Sequence, residues 1–532
     1  MQAFAELMNR LAFTSSRNAK LDLMQAYFRV TPDPDRGIAL AALTDGLNLR
    51  LPFRRLVAEL LEPHTDPVLY KLSREYVGDT AETVSLLWPA QNSGAAVPSL
   101  TEIHQTLHSL KRALKRAEAG QVLSAWLDAL DANGRWALLK LITGGLRIGV
   151  SARLAKTAVA QAFDHEVADV EEVWHGLELP YADLFAWLEG RTGKPDPGDT
   201  PVFRPVMLAH PVEDADFEKL QPEDWIAEWK WDGIRVQLAG NGSELRLYSR
   251  TGDDISRSFP DIGDAFMGFS GVADGELLVV RDGHIAPFND LQQRLNRKSV
   301  SASMVKDYPA HIRFYDLLFD GGSDVRAFDF PARRNRLKTL LAINDFTRGS
   351  LSEVIEFTAF EQLTVLRDGA RDANIEGLML KRIASPYLAG RPRGHWFKWK
   401  RDALTADCVM MYAQRGSGKR SSFYSDYTFG AWRTGDDGHD ELVPVGKAYS
   451  GFTDEELKKL DKFVRNNTTD RFGPVRAVAP ELVFEVAFDA VQPSTRHKSG
   501  IAMRFPRIHR IRWDKPAKEA DHLDTLLTLV AK

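Results

Sequence analysis

A lysine followed by an Asp-Gly turn is the feature of this 532-residue sequence that most directly suggests chemistry. The hexapeptide Lys230–Arg235, KWDGIR, follows the apolar segment WIAEW, so the lysine is predicted at the end of a strand. A lysine amine is a nucleophile only when neutral, and because its ordinary pKa is about 10.4, burial or neighbouring cations must lower it. Taken alone, the motif is better explained as a surface turn with chance charges.

An ordered series of charged residues on predicted strand ends changes that balance. The members that could do chemistry are Arg250, Glu276, Tyr315, Glu376, Lys398, Lys400 and the basic segment Arg504–Lys515. Phosphoryl transfer with a divalent ion needs such a set, because Mg²⁺ takes one or two carboxylates together with phosphate oxygens. Catalysis of that reaction is mostly positioning and charge neutralisation, which lysines and arginines supply.

This series resembles, in order, the six nucleotidyltransferase motifs of ATP-dependent DNA ligases of the archaeal and eukaryotic replicative type, in the compact form also found in bacteria. RPVMLAHP at Arg204–Pro211 is similar to the lead-in to the family's adenylation domain, and Leu138–Ser151 to a signature of its helical DNA-binding domain. Val445–Leu457 and Glu481–Lys515 resemble segments of its OB-fold domain. The resemblance therefore covers nearly the whole chain.

The resemblance implies a role for each matched position. Lys230 would form the lysyl-AMP phosphoramidate, Glu228 would read adenine N6, and Tyr315 would stack on the base. The other nucleotide contacts would be Arg235, Arg250, Glu276, Arg391, Lys398 and Lys400, with the two lysines on the α-phosphate. Glu276 and Glu376 would be the metal ligands. The family implies ATP as co-substrate and Mg²⁺, or alternatively Mn²⁺, as the ion.

Two positions depart from the family pattern. Tyr315 stands where the family usually has Phe, so stacking is kept and the hydroxyl is unexplained. Strict spacing places the family arginine that precedes Trp-x-Lys-x-Lys at Pro392. Arg391 or Arg393 must substitute for it, and we favour Arg391.

The C-terminal basic segment corresponds to motif VI of the family. Its members are Arg504, Arg507, Arg512, Asp514 and Lys515. The resemblance implies that the domain carrying them swings over the nucleotide for lysine adenylation, orients the leaving pyrophosphate, and then rotates to expose a surface for DNA.

Residue patterning predicts a multidomain fold. Residues 1–200 are predicted to form an all-α domain, since Leu100, Ile103 and Leu107 recur at helical spacing and four prolines in Arg191–Pro205 end the helical part. Residues 201–402 are predicted to form an α+β domain, with alternating strands and helices near 332–341 and 359–372. The resemblance implies that the first is the DNA-binding domain and the second the nucleotidyltransferase (adenylation) domain. Residues 403–532 form a β-barrel OB-fold domain, with five strands and one helix at Asp454–Asn466.

Composition excludes several classes of protein. The chain is 44% hydrophobic and 27% charged, its net charge is −4, and it has one cysteine, Cys408. One cysteine allows no disulfide framework and no four-cysteine zinc site, which also disfavours an NAD-dependent ligase. We find no secretory leader and no apolar run of about 18 residues, so we expect an intracellular protein, cytoplasmic and nucleoid-associated if prokaryotic.

Local charge and motif details complete the prediction. Five basic residues and no acid lie within 391–401, as expected for a phosphate-binding face. Arg415–Ser422, RGSGKRSS, lacks the spacing of a P-loop and is interpreted as a basic loop near DNA.

We expect a monomeric ligase that seals 5′-phosphate/3′-hydroxyl nicks in double-stranded DNA. The alternatives are an RNA ligase or capping-type nucleotidyltransferase, and a non-catalytic nucleic-acid clamp. The clamp would not need the lysine, the two carboxylates and the Trp-x-Lys-x-Lys motif together.

Overall fold

The computed structural model describes residues 1–530 except 48, 50–55, 57–58, 62, 78, 90–95, 114–115, 144, 197, 296, 298, 345, 371–374, 417–421, 436–437 and 496. Packing divides the chain into two compact units. One unit contains Met1–Asp164, Leu179–Phe185 and Ala403–Lys532. The other contains His165–Glu178 and Ala186–Asp402. Most of the basic loop Arg415–Ser422 lies outside the described residues.

The elements that the structure describes between residues 1 and 164 are helices. They are Gln2–Phe13, Arg17–Val30, Asp35–Leu43, Pro67–Val77, Thr80–Leu87, Leu100–Ala113, Arg116–Ala129, Ala132–Thr143 and Ala152–Ala162. The predicted stripe of Leu100, Ile103 and Leu107 is buried, and the Ser99 hydroxyl accepts a hydrogen bond from the Glu102 amide at 3.0 Å, as a helix N-cap does. None of the described helices is long and apolar enough to cross a membrane.

The unit around residues 186–402 contains two sheets. Its strands are β1 (His210–Pro211), β2 (Trp225–Trp231), β3 (Ile234–Asn241), β4 (Leu245–Ser249), β5 (Ser270–Arg281), β6 (His284–Ile285), β7 (Ala310–Asp320), β8 (Ser323–Asp324), β9 (Gly349–Leu351), β10 (Val354–Ile355), β11 (Ile375–Arg382) and β12 (Trp396–Lys400). One sheet has the order β1-β12-β11-β2-β10. The other has the order β4-β3-β5-β7-β8, with β6 paired to β5 and β9 paired to β7.

Helices cover the apolar faces of these sheets. The helices are Val167–Val173, Asp214–Phe217, Pro260–Ala265, Phe288–Gln292, Ala302–Asp307, Phe330–Asn344 and Phe360–Gly369, and Ala182–Leu188 ends in this unit. The helices Phe330–Asn344 and Phe360–Gly369 confirm those predicted near 332–341 and 359–372. Leu363 packs with Leu378 and Leu380 of the first sheet, and Leu337 packs with Phe314 of the second. Each sheet therefore has its own core, and the strands that carry charged residues are anchored by it.

Among the described residues, the C-terminal part of the chain forms a barrel-like sheet of seven strands and a separate sheet of two strands. Its strands are β13 (Leu404–Arg415), β14 (Tyr424–Thr434), β15 (Asp440–Ala448), β16 (Thr468–Phe472), β17 (Val475–Val478), β18 (Val483–Phe488), β19 (Ala490–Pro493), β20 (Ile501–Arg504) and β21 (Arg507–Arg512). The order is β15-β14-β13-β17-β16, β18 joins β13 to β21, and β19 pairs with β20. The predicted helix Asp454–Asn466 is confirmed, and Leu523–Leu527 is a second one.

The prediction of five strands in this region was too low. The predicted strand LVFEVAFDAVQ is two strands, β18 and β19, which are separated at Asp489. The β16–β17 hairpin was missed because TTDRF is mostly exposed and lacks the apolar alternation by which half-buried strands are recognised. Cys408 is fully buried among apolar side chains, and burial raises the pKa of its thiol, as expected for an inert core cysteine.

Candidate active site

A cavity of about 420 Å³ is lined by strands of both sheets of the 186–402 unit. Ten residues that the sequence nominated line it: Glu228, Lys230, Arg235, Arg250, Glu276, Tyr315, Glu376, Arg391, Lys398 and Lys400. Arg393 is not among the lining residues described for this cavity, which favours Arg391 as the substitute for the family arginine. The five motif VI residues belong to the other unit.

Strand register brings Lys230 and Glu376 together. Lys230 on β2 is opposite Gly377 on β11, and Gly377 is also opposite Lys400 on β12. The β2–β11 register shifts between Ile375 and Gly377, so Glu376 is an extra residue in a β-bulge. Its carboxylate accepts hydrogen bonds from the Lys230 ammonium and lies 3.3 Å from the Lys400 Nζ.

Gly377 is required by this bulge. Its φ of +144° is one that side chains rarely adopt, and a β-carbon there would collide with the carbonyl oxygen of Trp399. The Glu-Gly pair of the sequence is therefore one structural device, because the glycine permits the bulge that places the glutamate. Burial alone would raise the pKa of Glu376, but the charges of Lys230 and Lys400 hold that pKa below its ordinary value.

The second sheet contributes Arg235 and Glu276 from adjacent strands. They are cross-strand neighbours on β3 and β5. The Arg235 guanidinium donates to the carboxylate of buried Asp274 at 2.6 Å and to the Met207 carbonyl at 2.5 Å, which fixes its orientation. Burial raises the pKa of Glu276 to about 8; Lys230 and Arg235 oppose this rise, and Glu376 adds to it.

The cations of the cavity are more numerous than their carboxylate partners. Burial lowers the pKa of Lys398, and the charges of Arg391, Lys400, Lys230 and Arg250 lower it further. Within the described part of the chain, no carboxylate oxygen lies within 4.0 Å of the charged nitrogens of Arg250, Arg391 or Lys398. Mutual repulsion among these cations is offset when an anion binds, and a triphosphate supplies the required charge.

Two further charged residues hold Glu228, and the sequence argument assigned them no role. The Glu228 carboxylate is buried and pairs with Lys381 at 2.6 Å and Arg334 at 2.5 Å. Burial shifts both members of the Glu228–Lys381 pair toward neutrality, raising the pKa of Glu228 and lowering that of Lys381. Lys381 also lines the cavity with Met379. Alternation along a strand could have found it, because the two residues lie two apart on β11 and share a face.

Tyr315 enters the cavity through a second bulge. On β7, Asp316 is opposite Asp274 and Phe314 is opposite Gly275, so Tyr315 is the unpaired residue between them. The Lys381 Nζ lies 4.5 Å from the centre of its ring, which is within the range of a cation–π contact. The partly buried ring of Tyr315 therefore lines the cavity, and its stacking role stays a prediction.

The motif VI residues have acidic partners within their own unit. Arg507 lies 3.4 Å from Asp489, and Lys515 lies 2.7 Å from Asp407. Arg512 donates to Asp514 at 3.0 Å, and this hydrogen bond lowers the pKa of Asp514 to about 2. The Arg504 guanidinium lies 5.1 Å from the ring centre of Phe505.

The fold and the cavity together define a class of protein. A lysine on a sheet strand shares the cavity with three glutamates and with several cations, of which three have no carboxylate partner in the described part of the chain. That combination suits covalent transfer of a phosphate-bearing group to the lysine.

Comparison with known proteins identifies the family. Residues 206–400 match the ATP dependent DNA ligase domain, residues 420–515 the ATP dependent DNA ligase C terminal region, and residues 1–160 the DNA ligase N terminus. The probable DNA ligase of Koribacter versatilis is 31% identical over 566 residues, covering 98% of this chain and 95% of that protein. DNA ligase 1 of Korarchaeum cryptofilum is 28% identical over 560 residues, covering 100% and 98%. The chain belongs to the ATP-dependent DNA ligase family.

A solved structure has the same fold. The structure titled "Pmar-Lig_Pre." aligns with a TM-score of 0.62 at 17% identity and covers 96% of this chain and 99% of that one. The family resemblance is confirmed, and so is a multidomain ligase fold with adenylation and C-terminal OB-like domains. The chain is an enzyme of the covalent nucleotidyltransferase class, so the interpretation as a non-catalytic clamp is wrong.

Proposed function

We propose that Lys230 is the nucleophile of this ATP-dependent DNA ligase and that its DNA substrate is a nicked duplex with 5′-phosphate and 3′-hydroxyl ends. The observation that carries the assignment is the position of Lys230, which contacts Glu376. It shares the cavity with Arg250, Arg391 and Lys398, which have no carboxylate oxygen within 4.0 Å among the described residues. AMP passes from ATP to the lysine and then to the 5′-phosphate. The 3′-hydroxyl finally displaces AMP and closes the strand.

The first step follows from the positions of the side chains. The Lys230 ammonium releases a proton to water, and the neutral amine attacks the α-phosphorus of ATP. The nitrogen–phosphorus bond forms and a second proton passes from the nitrogen to water. The bond from the α-phosphorus to the bridging oxygen breaks, and pyrophosphate leaves with that electron pair. Lys398 and Lys400 lie on β12, which β11 separates from β2, and they line the same cavity as Lys230 and hold the α-phosphate. Their charges offset the negative charge on the transferring phosphoryl group, which stabilises the transition state more than the ground state.

The adenine base has a separate subsite in this proposal. Tyr315 supplies the stacking face, and Glu228 reads the exocyclic amine through its carboxylate. Lys381 and Arg334 hold that carboxylate in place, so they act as positioning residues. A buried charge network of this kind is rigid when every member has a partner.

The acidic residues of the cavity fit a divalent ion. Glu276 and Glu376 interact electrostatically and line the same space as the cations, which matches the preference of Mg²⁺ for one or two carboxylates plus phosphate oxygens. When bound, the ion would neutralise phosphate charge and polarise the phosphoryl group. Glu376 would hold it while also accepting the Lys230 hydrogen bond.

The helical region is proposed as the all-α DNA-binding domain. Its Gly145–Ser151 loop presents exposed Arg147 with a left-handed φ of +52°. Buried Lys20 supports this loop by donating to the carbonyls of Ile148 at 2.7 Å and Gly149 at 2.8 Å. An arginine on a fixed loop suits a phosphate contact. We propose that the protein binds the nick as a monomer and that residues 403–532 are the OB-fold domain.

Self-adenylation and nick sealing are measured separately to test the assignment. Protein is incubated with ATP labelled at the α-phosphorus and analysed by denaturing electrophoresis, and sealing is assayed on a DNA nick and a matched RNA nick. We expect covalent label on the wild type and no label on Lys230→Ala. We also expect faster sealing of the DNA nick than of the RNA nick. Label retained by Lys230→Ala would move the nucleophile elsewhere, and preferential sealing of RNA would overturn the substrate.

A further inference from the structure

We infer that residues His165–Glu178, here called the linker segment, position two arginines of the nucleotide cavity. The segment contains the helix Val167–Val173 and the short turn Trp174–Gly176. Although the sequence placed it in the helical domain, it packs in the same unit as the cavity. The inference rests on the proposed function, in which Arg235 and Arg250 contact the nucleotide.

The first connection starts at Glu172. One of its carboxylate oxygens accepts from Arg204 Nη1 at 2.6 Å, and the other accepts from Arg326 Nη1 at 2.9 Å. Both guanidinium groups lie against Phe319, at 4.6 Å for Arg204 and 5.1 Å for Arg326. Glu172 therefore holds together Arg204, which precedes β2 in the chain, and Arg326, which follows β8.

Hydrogen bonds continue from Arg204 to the cavity. The Arg204 amide donates to the side-chain oxygen of Gln237 at 2.6 Å, and the Gln237 amide group donates to Asp274 at 2.9 Å. The other oxygen of Asp274 accepts from Arg235 at 2.6 Å. Gln237 and Asp274 are 1% and 0% exposed, so water is a poor substitute for any partner that moves away.

The second connection starts at His175. Its ring packs against Phe203 at 4.9 Å and Tyr248 at 6.0 Å. A β-carbon at Gly252 would collide with the same imidazole, so the backbone of the turn that follows β4 rests on the ring. Arg250 lies in that turn and lines the cavity. The imidazole of His175 thus packs against the turn that contains Arg250 and supports it.

These contacts make Glu172 and His175 positioning residues for nucleotide binding. Neither side chain lines the cavity, so each acts through an arginine that does. Removing the imidazole leaves a void under Gly252, into which the turn can settle and carry Arg250 away from the phosphates. Because small misplacements of binding groups weaken productive binding strongly, we expect the effect in the KM for ATP.

The test uses the full-length protein and single-turnover self-adenylation over a range of ATP concentrations. His175→Ala and Glu172→Ala are each expected to raise the KM for ATP about tenfold, with a smaller change in the rate at saturating ATP. His175→Phe keeps a flat ring under the turn and is expected to restore most of the affinity. The matched control is Asp169→Ala, because Asp169 belongs to the same segment but pairs with exposed Lys194 at 2.7 Å.

Melting temperatures distinguish positioning from a purely structural role. A structural role would lower the melting temperature and the active fraction while leaving the KM of the folded molecules unchanged, and that pattern would overturn the inference. An unchanged KM in both alanine variants, or an equal rise in Asp169→Ala, would overturn it as well. Failure of the wild type to take label from ATP would instead refute the proposed function.

Discussion

Two basic clusters with similar composition are built in opposite ways. In the cavity cluster, Arg250, Arg391 and Lys398 have no carboxylate within 4.0 Å in the described part of the chain, and burial, followed by neighbouring cations, lowers the pKa of Lys398. In the motif VI cluster, Arg507 and Lys515 are paired with acids of their own unit. The cavity cluster carries positive charge that a bound anion would offset, whereas Arg507, Arg512 and Lys515 of the motif VI cluster are paired with acids of their own unit.

This difference teaches what each cluster can do without rearrangement. The cavity cations repel one another, so binding a polyphosphate relieves an existing electrostatic cost. The motif VI cations must exchange their carboxylate partners before they can serve a phosphate, and such an exchange suits a group that acts in one step only. We therefore predict that the cavity cations bind the nucleotide phosphates without rearranging. The motif VI cations are predicted to act on a phosphate only after they have left their carboxylate partners.

The largest effect is expected when the proposed nucleophile, Lys230, is removed from the cavity. Lys230→Ala should abolish covalent labelling by ATP, because the proposal assigns the attack on the α-phosphorus to the Lys230 amine and gives the Lys398 and Lys400 ammonium groups the role of holding the phosphate. It should still seal a nick that already carries AMP, since the later steps do not use the lysine as nucleophile. The measurement is electrophoretic labelling beside single-turnover sealing of pre-adenylated DNA. Loss of both activities would assign Lys230 a role beyond nucleophilic attack.

The next effect separates the two clusters kinetically. Lys398→Ala should slow adenylation about 10²- to 10³-fold, as expected when a charge that stabilises a transition state is removed. Arg507→Ala combined with Lys515→Ala should also slow adenylation but should spare sealing of pre-adenylated nicks, where no pyrophosphate leaves. Equal losses in both steps for the double variant would mean that these residues hold DNA or the fold.

A smaller effect concerns the pH dependence of stability, to which Glu276 of the cavity and Asp514 of motif VI contribute differently. The pKa of Glu276 is raised to about 8, mainly by burial, whereas its hydrogen bond with Arg512 lowers the pKa of Asp514 to about 2. Between its unfolded value and about 8, the native Glu276 binds more proton than the unfolded chain does, so stability falls as pH rises through this range. Glu276→Gln should therefore raise the melting temperature of the ligand-free protein at about pH 9 but not at about pH 5.

Melting curves across pH check this sign, with Glu244→Gln as the control because Glu244 pairs with Arg246 on the surface. An equal gain at both pH values would show that glutamine improves packing. No gain at either pH would mean that Glu276 ionises freely in the native protein.

The smallest expected effect is on the free energy of unfolding, which should respond differently when a lysine is removed from each cluster. Lys515→Met leaves Asp407 with one of its two cationic partners, since Arg512 remains 3.7 Å away, and should cost about 1 kcal/mol of the free energy of unfolding. Lys398→Met removes repulsion in the cavity and should cost nothing or stabilise. Denaturant unfolding of the two variants without ATP measures both signs. A destabilised Lys398→Met would show that the cavity cations are already neutralised.

The sequence by itself determined the chemistry and the larger elements. The ordered motifs and the family resemblance that they carry nominated ten of the residues that line the cavity, because a reaction on phosphate constrains residue types strongly. Alternation and helical spacing located the long strands and helices, including Asp454–Asn466, because burial of one face imposes its own period. The domain limits and the individual roles stay predictions.

Only the tertiary structure decided how the nominated residues converge. Glu376 and Tyr315 enter the cavity at bulges, and alternation cannot anticipate a bulge because one inserted residue shifts the face of those that follow. Lys381 and Arg334 became visible as the partners of Glu228 only when separate strands and a helix met. Glu172 and His175 follow the same rule: their contacts join parts of the chain that local sequence treats as independent, and such contacts depend on packing that no local pattern records.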